Sequence, residues 1–333
     1  MTDTADARAE PYAMVCPTPG GPEALTRKAI PLPQPGPGEL RIRHTAIGVN
    51  YLDVYIRTGR YPWPVERDMI PGGDGAGVVE ALGEGVTGFA PGDRVAYTLP
   101  HGAYASHRLV PAAHLVHLPA AVSDAQAAAA MLKGLTAHYL MHDSYPVREG
   151  DTVLVHAAAG GMGLILGQWL AARGVRAIGT AGGPEKCALA RANGYAEVID
   201  YTAEDFVPIV NDLTGGAGVQ AVYDGVGAAT VVRSLDCLAT FGTLVSFGAA
   251  SGQADDFRIS HLARGSFRLT RPMLFHHTAR RDYLERASAA LFDRIASGAL
   301  RLHIGREAPL AEVAAIHRAL EGRQTTGSTI LRP

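Results

Sequence analysis

Val153-Leu154-Val155-His156-Ala157-Ala158-Ala159-Gly160-Gly161-Met162-Gly163-Leu164 joins a hydrophobic run to a glycine-rich turn, and an apolar segment with few helix breakers follows. The stretch predicts a strand handing over to a helix. At such a junction small residues let the backbone approach a pyrophosphate, and the helix start offers free N–H groups and a positive dipole end. The spacing is not a strict G-x-G-x-x-G. It fits Ala157-x-x-Gly160-x-x-Gly163, with Gly161 as an extra position of close approach. Residues 1–152 precede the turn, so the chain has room for another domain before it.

Working outward, strands and helices alternate. Strands are expected at 152–156, 175–180, 196–201, 219–224, 241–247 and 266–271, and helices at 162–173, 184–193, 203–213 and 228–238. This rhythm predicts βαβ units and a doubly wound parallel sheet buried on both faces. Upstream, Pro/Gly punctuation at Gln34–Gly38, Pro71–Gly73 and Pro91–Asp93 separates short alternating runs such as Leu40-Arg41-Ile42-Arg43-His44. That texture suggests a compact β-rich domain, and helical propensity takes over from about residue 124. Past residue 280 an amphipathic helix (281–297) leads to short strands that end Ser328-Thr329-Ile330-Leu331, expected to pack back on the first domain.

Composition narrows the function classes. The 333 residues carry a net charge of −2 with 19% charged residues, so no basic field points to nucleic acid. No apolar stretch reaches the roughly 18 residues of a membrane span, and the opening MTDTADARAE is polar, unlike a signal peptide. Cys16, Cys187 and Cys237 are few, odd in number and far apart, which fits neither a disulfide framework nor a Cys-x-x-Cys metal pair and suggests the cytoplasm. Arginine is the default cation here, and Lys28, Lys133 and Lys186 are the only lysines.

An NAD-type site places an acid near the end of the second strand to accept from the adenosine ribose. Here that strand ends Ala177-Ile178-Gly179-Thr180-Ala181-Gly182-Gly183 with no carboxylate, and Lys186 follows at a helix start that favours anions. Lys186 as the partner of a 2′-phosphate, and NADPH over NADH, is the resulting expectation.

Segments along the whole chain resemble the quinone oxidoreductase (zeta-crystallin-like) branch of the medium-chain dehydrogenase/reductase superfamily. They are Gly48-Val49-Asn50-Tyr51-Leu52-Asp53-Val54-Tyr55-Ile56-Arg57-Thr58-Gly59, Leu132-Lys133-Gly134-Leu135-Thr136-Ala137, the glycine turn, Val222–Gly227, Val245–Gly248, Leu269–Pro272 and Arg323–Ser328. The resemblance implies an α/β chain with a GroES-like β-rich catalytic domain (1–129 and 273–333) and a doubly wound parallel-sheet Rossmann domain (130–272). It implies an active site where the two meet, and a homodimer. It assigns NADPH contacts to Asn50, Tyr55, Thr136, Gly160, Gly161, Met162, Gly163, Thr180, Lys186, Tyr201, Gly225, Ser246, Phe247, Gly248, Thr270, Arg271 and Arg323, and puts Tyr61 at the substrate mouth.

Zinc-dependent relatives in that superfamily use a Cys near the position of Asn50, a His where Gly73 stands and a further ligand near Leu132. Those donors and the block of four structural cysteines are missing, so no metal is expected. His101, His107, His114 and His117 are expected on or between strands. A zinc-free site suits acceptors with their own electron sink, a quinone or an activated alkene of the enone or 2-haloacrylate kind. Asn50, Tyr55, Tyr61, Lys133 and Thr136 are the catalytic candidates, with hydrogen bonds to a developing oxyanion expected from Tyr55, Tyr61, Asn50 or Lys133. Asp53 is expected to act as a cap or orienting acid. The choice between quinone and alkene stays open, and an RNA-binding or crystallin-like structural role is a minor alternative.

Overall fold

A computed structural model describes residues 10–333. Residues 1–9 of the polar opening stretch lie outside them. In chain order come β1 (Tyr12–Val15), β2 (Thr26–Ala29), β3 (Glu39–Val49), α1 (Tyr51–Arg57), β4 (Asp74–Leu82), β5 (Arg94–Thr98), β6 (His107–Pro111), β7 (Val116–His117) and α2 (Asp124–Tyr139). Next are β8 (Thr152–Val155), α3 (Gly161–Ala171), β9 (Arg176–Ala181), α4 (Pro184–Arg191), β10 (Glu197–Asp200), α5 (Phe206–Leu213), β11 (Val219–Asp224), α6 (Val231–Ser234), β12 (Leu238–Ser246) and β13 (Arg268–Thr270). The chain ends with α7 (Leu274–Thr278), α8 (Arg281–Ala296), β14 (Ile304–Pro309), α9 (Val313–Glu321) and β15 (Ser328–Arg332).

Two compact units result. The first holds the described residues through Met131 together with Arg306–Gln324 and Thr329–Pro333. The second holds Leu132–Gly305 and Thr325–Ser328. Domain limits were expected after residues 129 and 272; the compact units divide after Met131 and Gly305, and the helix expected at 281–297 runs as α8 within the second.

The first unit is built on a sheet of order β14-β15-β3-β4-β5-β7, with β6 also paired to β3. The alternation in β3 explains its placement. Leu40 and Ile42 are fully buried in a core with Val79, Val95, Leu115 and Leu331, while Arg41 and Arg43 reach Glu80 on the neighbouring strand at 3.4 and 3.2 Å. β15 pairs antiparallel with β3, so the chain's end completes the sheet begun by its start.

The second unit carries a six-stranded parallel sheet of order β10-β9-β8-β11-β12-β13. Leu154, Ile178, Ile199, Val222 and Leu244 are buried among their neighbours, as covering on both faces requires. Strand order reverses between β8 and β11, and in such sheets ligands bind beyond the carboxyl ends of the strands at the reversal. The four expected helices at 162–173, 184–193, 203–213 and 228–238 are all shorter in the structure, the last two by three residues or more. Asp205 caps α5 by accepting the Val207 N–H, so the helix starts at 206 rather than 203. The helix expected at 228–238 shrinks to α6 and a 3-10 turn, because Leu238 already belongs to β12.

Candidate functional site

The glycine turn lies at the carboxyl end of β8, beside the strand reversal. Ala157 sits in left-handed geometry at φ 55°, and Ala158 N–H donates to Thr180 O, which ties the turn to β9. α3 begins at Gly161 with Gly160 as its N-cap and no side chain capping it, so the helix start presents backbone N–H groups. A Cβ on Gly163 would stand 2.5 Å from Ala157 O, so only glycine lets helix and turn pack this closely. At Gly161 a Cβ would press on Ser328 Oγ and on Lys133 Cε, at 2.8 and 2.9 Å. The segment Thr325–Ser328 is stitched to the turn through a parallel bridge between Gly160 and Gly327 and the Gly327 N–H to Ala159 O. Met162 is half-buried in the first turn of α3, and Lys133 and Thr136, one turn apart on α2, are both buried.

Beyond β9 the backbone turns through Gly182 and Gly183 (φ 86°) into α4, which carries Lys186 in its first turn. Tyr201, 42% exposed, brings its hydroxyl to 2.7 Å of where a Cβ on Gly182 would be. Tyr201 therefore lies against Gly182, and Lys186 sits in the first turn of the helix that follows Gly183. The absence of a carboxylate holds for β9 alone, since Asp200 at the end of neighbouring β10 lies level with Ala181. Its Oδ1 accepts from Thr202 Oγ1, Thr202 N–H and Gly183 N–H, which holds the carboxyl below its usual range.

Thr180 is buried and its hydroxyl pairs with His156 Nδ1 at 2.9 Å, while His156 Nε2 meets Ser234 Oγ at 2.8 Å. Burial lowers the His156 pKa and keeps the ring neutral between these hydroxyls. At the end of β11, fully buried Asp224 accepts from Val226 N–H and Gly227 N–H and from the Thr230 hydroxyl, which shapes the loop after Gly225. That loop packs against the next one: Phe247 N–H donates to Asp224 O, and a Cβ on Gly248 would meet Gly225 O at 2.5 Å. Arg271, just past Thr270 on β13, donates to the carbonyls of Ser246 and Gly248 at 2.9 Å each. Gly225, Ser246, Phe247, Gly248, Thr270 and Arg271 are thus brought together.

In the first unit Asn50 caps α1 and is buried. Its backbone N–H donates to Asp53 Oδ2 at 2.8 Å and its side-chain Nδ2 to Asp74 Oδ2 at 3.1 Å. Asp53 is therefore the cap expected of it. Tyr55 is 7% exposed, with the half-buried Tyr61 ring at 5.7 Å and the Arg60 guanidinium over its own ring at 5.9 Å. Arg323 is exposed at φ 57°, just past α9.

Among the described residues no group of three or more His, Cys, Asp or Glu side chains is arranged to hold a metal ion. His107 and His117 each face one carboxylate, Glu80 at 3.6 Å and Asp93 at 3.9 Å. His107 lies on β6, His117 on β7, and His101 and His114 between strands.

Sequence reasoning missed the buried polar groups that hold these elements: Asp74, Tyr104, His156, Asp224 and His317. His156 and Asp224 lie inside stretches quoted for other reasons, and none of the five stands at a spacing that announces its buried partner. Only Asp224, directly before Gly225-Val226-Gly227, carried a local signal as an acid ahead of a glycine turn.

The alcohol dehydrogenase GroES-like domain family matches residues 36–120, and the zinc-binding dehydrogenase family matches residues 161–289. The chain is 46% identical over 316 residues to a quinone oxidoreductase of Pseudomonas aeruginosa, covering 94% of this chain and 97% of that one. It is 43% identical over 322 residues to a 2-haloacrylate reductase of a Burkholderia species, at 94% and 96% coverage. The crystal structure of Escherichia coli quinone oxidoreductase complexed with NADPH superposes at a TM-score of 0.93 with 39% identity, covering 97% of this chain and all of that one. Two domain types in this order, with likeness along nearly the whole chain, mean that the protein belongs to the zinc-independent quinone oxidoreductase branch of the medium-chain dehydrogenase/reductase superfamily.

Proposed function

We propose that this chain is an NADPH-dependent oxidoreductase that delivers hydride to a quinone without zinc. The observation that carries the reading is the uncapped, glycine-lined start of α3 at the reversal point of the parallel sheet. Gly160, Gly161, Met162 and Gly163 hold NADPH there, with Thr180, Lys186 and Tyr201 beyond β9 and Gly225, Ser246, Phe247, Gly248, Thr270 and Arg271 beyond β11–β13. Asn50, Tyr55, Thr136 and Arg323 complete the contacts. When bound, NADPH supplies the hydride. A quinone accepts it without a Lewis acid because the product is an aromatic hydroquinone anion, which one proton neutralises. The chain's own groups orient the acceptor and donate hydrogen bonds to the developing oxyanion, from Tyr55, Tyr61, Asn50 or Lys133.

A second reading is reduction of an activated alkene bearing a carboxylate. The Arg60 guanidinium beside Tyr55 and Tyr61 supports it, as does likeness to a 2-haloacrylate reductase. The test follows NADPH and NADH oxidation with 1,4-benzoquinone, 9,10-phenanthrenequinone, an enone and 2-chloroacrylate. Fast quinone turnover with NADPH supports the first reading; fast 2-chloroacrylate turnover with negligible quinone turnover replaces it with the second.

The working form is a homodimer in this proposal. β13 is one of the two edges of the parallel sheet, and Phe241 on β12, Leu269 on β13 and Met273 just after it are exposed apolar side chains. No helix among the described residues is long and apolar enough to cross a membrane. Three unpaired buried cysteines suit the reducing cytoplasm.

A further inference from the structure

We infer that Arg57, His317 and Tyr104 are positioning residues for hydride transfer, because a hydrogen-bond chain, buried from Arg57 onward, runs from exposed Glu321 to the cap of the helix that carries Asn50 and Tyr55. The inference rests on the hydride-transfer reading above. Arg57 forms two bonds to the Glu321 carboxylate, at 2.8 and 2.9 Å, and its Nη1 reaches His317 Nδ1 at 2.9 Å. His317 Nε2 meets the Tyr104 hydroxyl at 2.9 Å, and that hydroxyl donates to Asp53 Oδ2 at 2.8 Å. The same Oδ2 accepts the Asn50 N–H.

Chemistry fixes every proton in this chain. A guanidinium only donates, so His317 Nδ1 is the acceptor and the ring proton sits on Nε2. Nε2–H then donates to the Tyr104 oxygen, which leaves the single Tyr104 proton for Asp53. From His317 onward every donor points toward the cap, while the guanidinium itself donates both ways. Burial, and next to it the Arg57 charge, push the His317 pKa down to about 3, which keeps the ring neutral as this order demands. Burial and the Asp53 carboxylate hold the Tyr104 hydroxyl protonated.

Arg57, Asp53, Tyr104 and His317 are at most 1% exposed. Burying a guanidinium and a carboxylate is costly, and an apolar cluster of equal volume serves stability as well, so the return is orientation. One end of this hydrogen-bond chain touches a residue assigned to the cofactor, and the other ends close in sequence to a second. At one end Asn50 is pinned by Asp53 through its N–H and by Asp74 through its amide. At the other, Glu321 lies two residues before Arg323, and Tyr51 Oη donates to Leu320 O to fasten α1 to the same helix end.

The test measures melting temperature, kcat, KM for NADPH and the primary deuterium isotope effect with C4-deuterated NADPH in Tyr104→Phe, His317→Leu and His317→Gln. The first two should lower kcat about tenfold per folded enzyme and raise the isotope effect, with KM moving less than about threefold. His317→Gln should recover most of kcat, since its amide oxygen can accept from Arg57 while its amino group donates to Tyr104. Folded Tyr104→Phe and His317→Leu with kcat within about twofold of wild type would overturn the inference, as would His317→Gln no better than Leu. A wild-type protein inert to every acceptor overturns the hydride-transfer reading and this inference together; an active wild type with unaffected variants overturns this inference alone.

Discussion

The carboxylate of Asp200 accepts the backbone N–H of Gly183 at 2.9 Å, so the turn after β9 is held by an acid from the end of β10. With Oδ1 also taking both donors of Thr202, the charge of Asp200 serves the turn, and Lys186 remains the cation at the start of α4.

That arrangement separates two effects on cofactor choice. Lys186→Ala should lower kcat/KM for NADPH relative to NADH by about tenfold or more, through loss of the 2′-phosphate partner. Asp200→Asn should loosen the turn and raise KM for both cofactors alike. Steady-state kinetics with each cofactor check both, and an unchanged NADPH preference in Lys186→Ala rules out the phosphate assignment.

The two glycines of the turn should differ in their response to a methyl group. In Gly163→Ala the new Cβ meets backbone oxygens at 2.5 and 2.6 Å, which cannot move away without opening the turn. A loss of about 1–3 kcal/mol and of NADPH binding is expected. Gly161→Ala meets the side chains of Ser328 and Lys133, which can shift, and should be milder. Denaturant unfolding and NADPH fluorescence titration distinguish the two.

Two buried histidines set an acid limit on the first unit. Burial pushes both His44 and His317 down from 6.5 to about 3. The folded pKa lies below the unfolded one, so between pH 6.5 and 3 the unfolded chain binds more protons. Their stabilisation is present above pH 6.5 and drains away as pH falls toward 3. Moving from pH 7 to pH 5 should cost roughly 2 kcal/mol for each histidine. Unfolding free energies across that range check the slope, which should be shallower in His317→Gln.

Phe241, at φ 66° and 62% exposed, lies on β12, next to the edge strand β13 of the parallel sheet. Replacing it with Asp should shift the protein from dimer to monomer in light scattering at micromolar concentration, with little change in the fold of the monomer. A wild type that scatters as a monomer would remove the proposed homodimer.

Much of the second unit was legible in the sequence because parallel strands buried on both faces must be continuous apolar runs. Thr152–Val155, Val219–Asp224 and the glycines after them announce both strand and turn. Helix ends were less legible, since a single cap such as Asp205 or a competing strand such as Leu238–Ser246 decides them. The pairing of Ser328–Arg332 with Glu39–Val49 could be anticipated only as a tail that returns, because no local pattern encodes which distant strand a strand will pair with.

By itself the sequence determined the strand–turn–helix at 153–164 and the cation at Lys186, because small residues and charges at fixed spacing act over one or two turns of chain. Tertiary structure alone decided that Asp200 would reach Gly183, that Gly327 would bridge Gly160, and that His317 would join Tyr104 to Arg57. Those bonds join residues 17, 167, 213 and 260 positions apart. A buried donor takes whatever acceptor the packing brings to it, and only the assembled core determines which one that is.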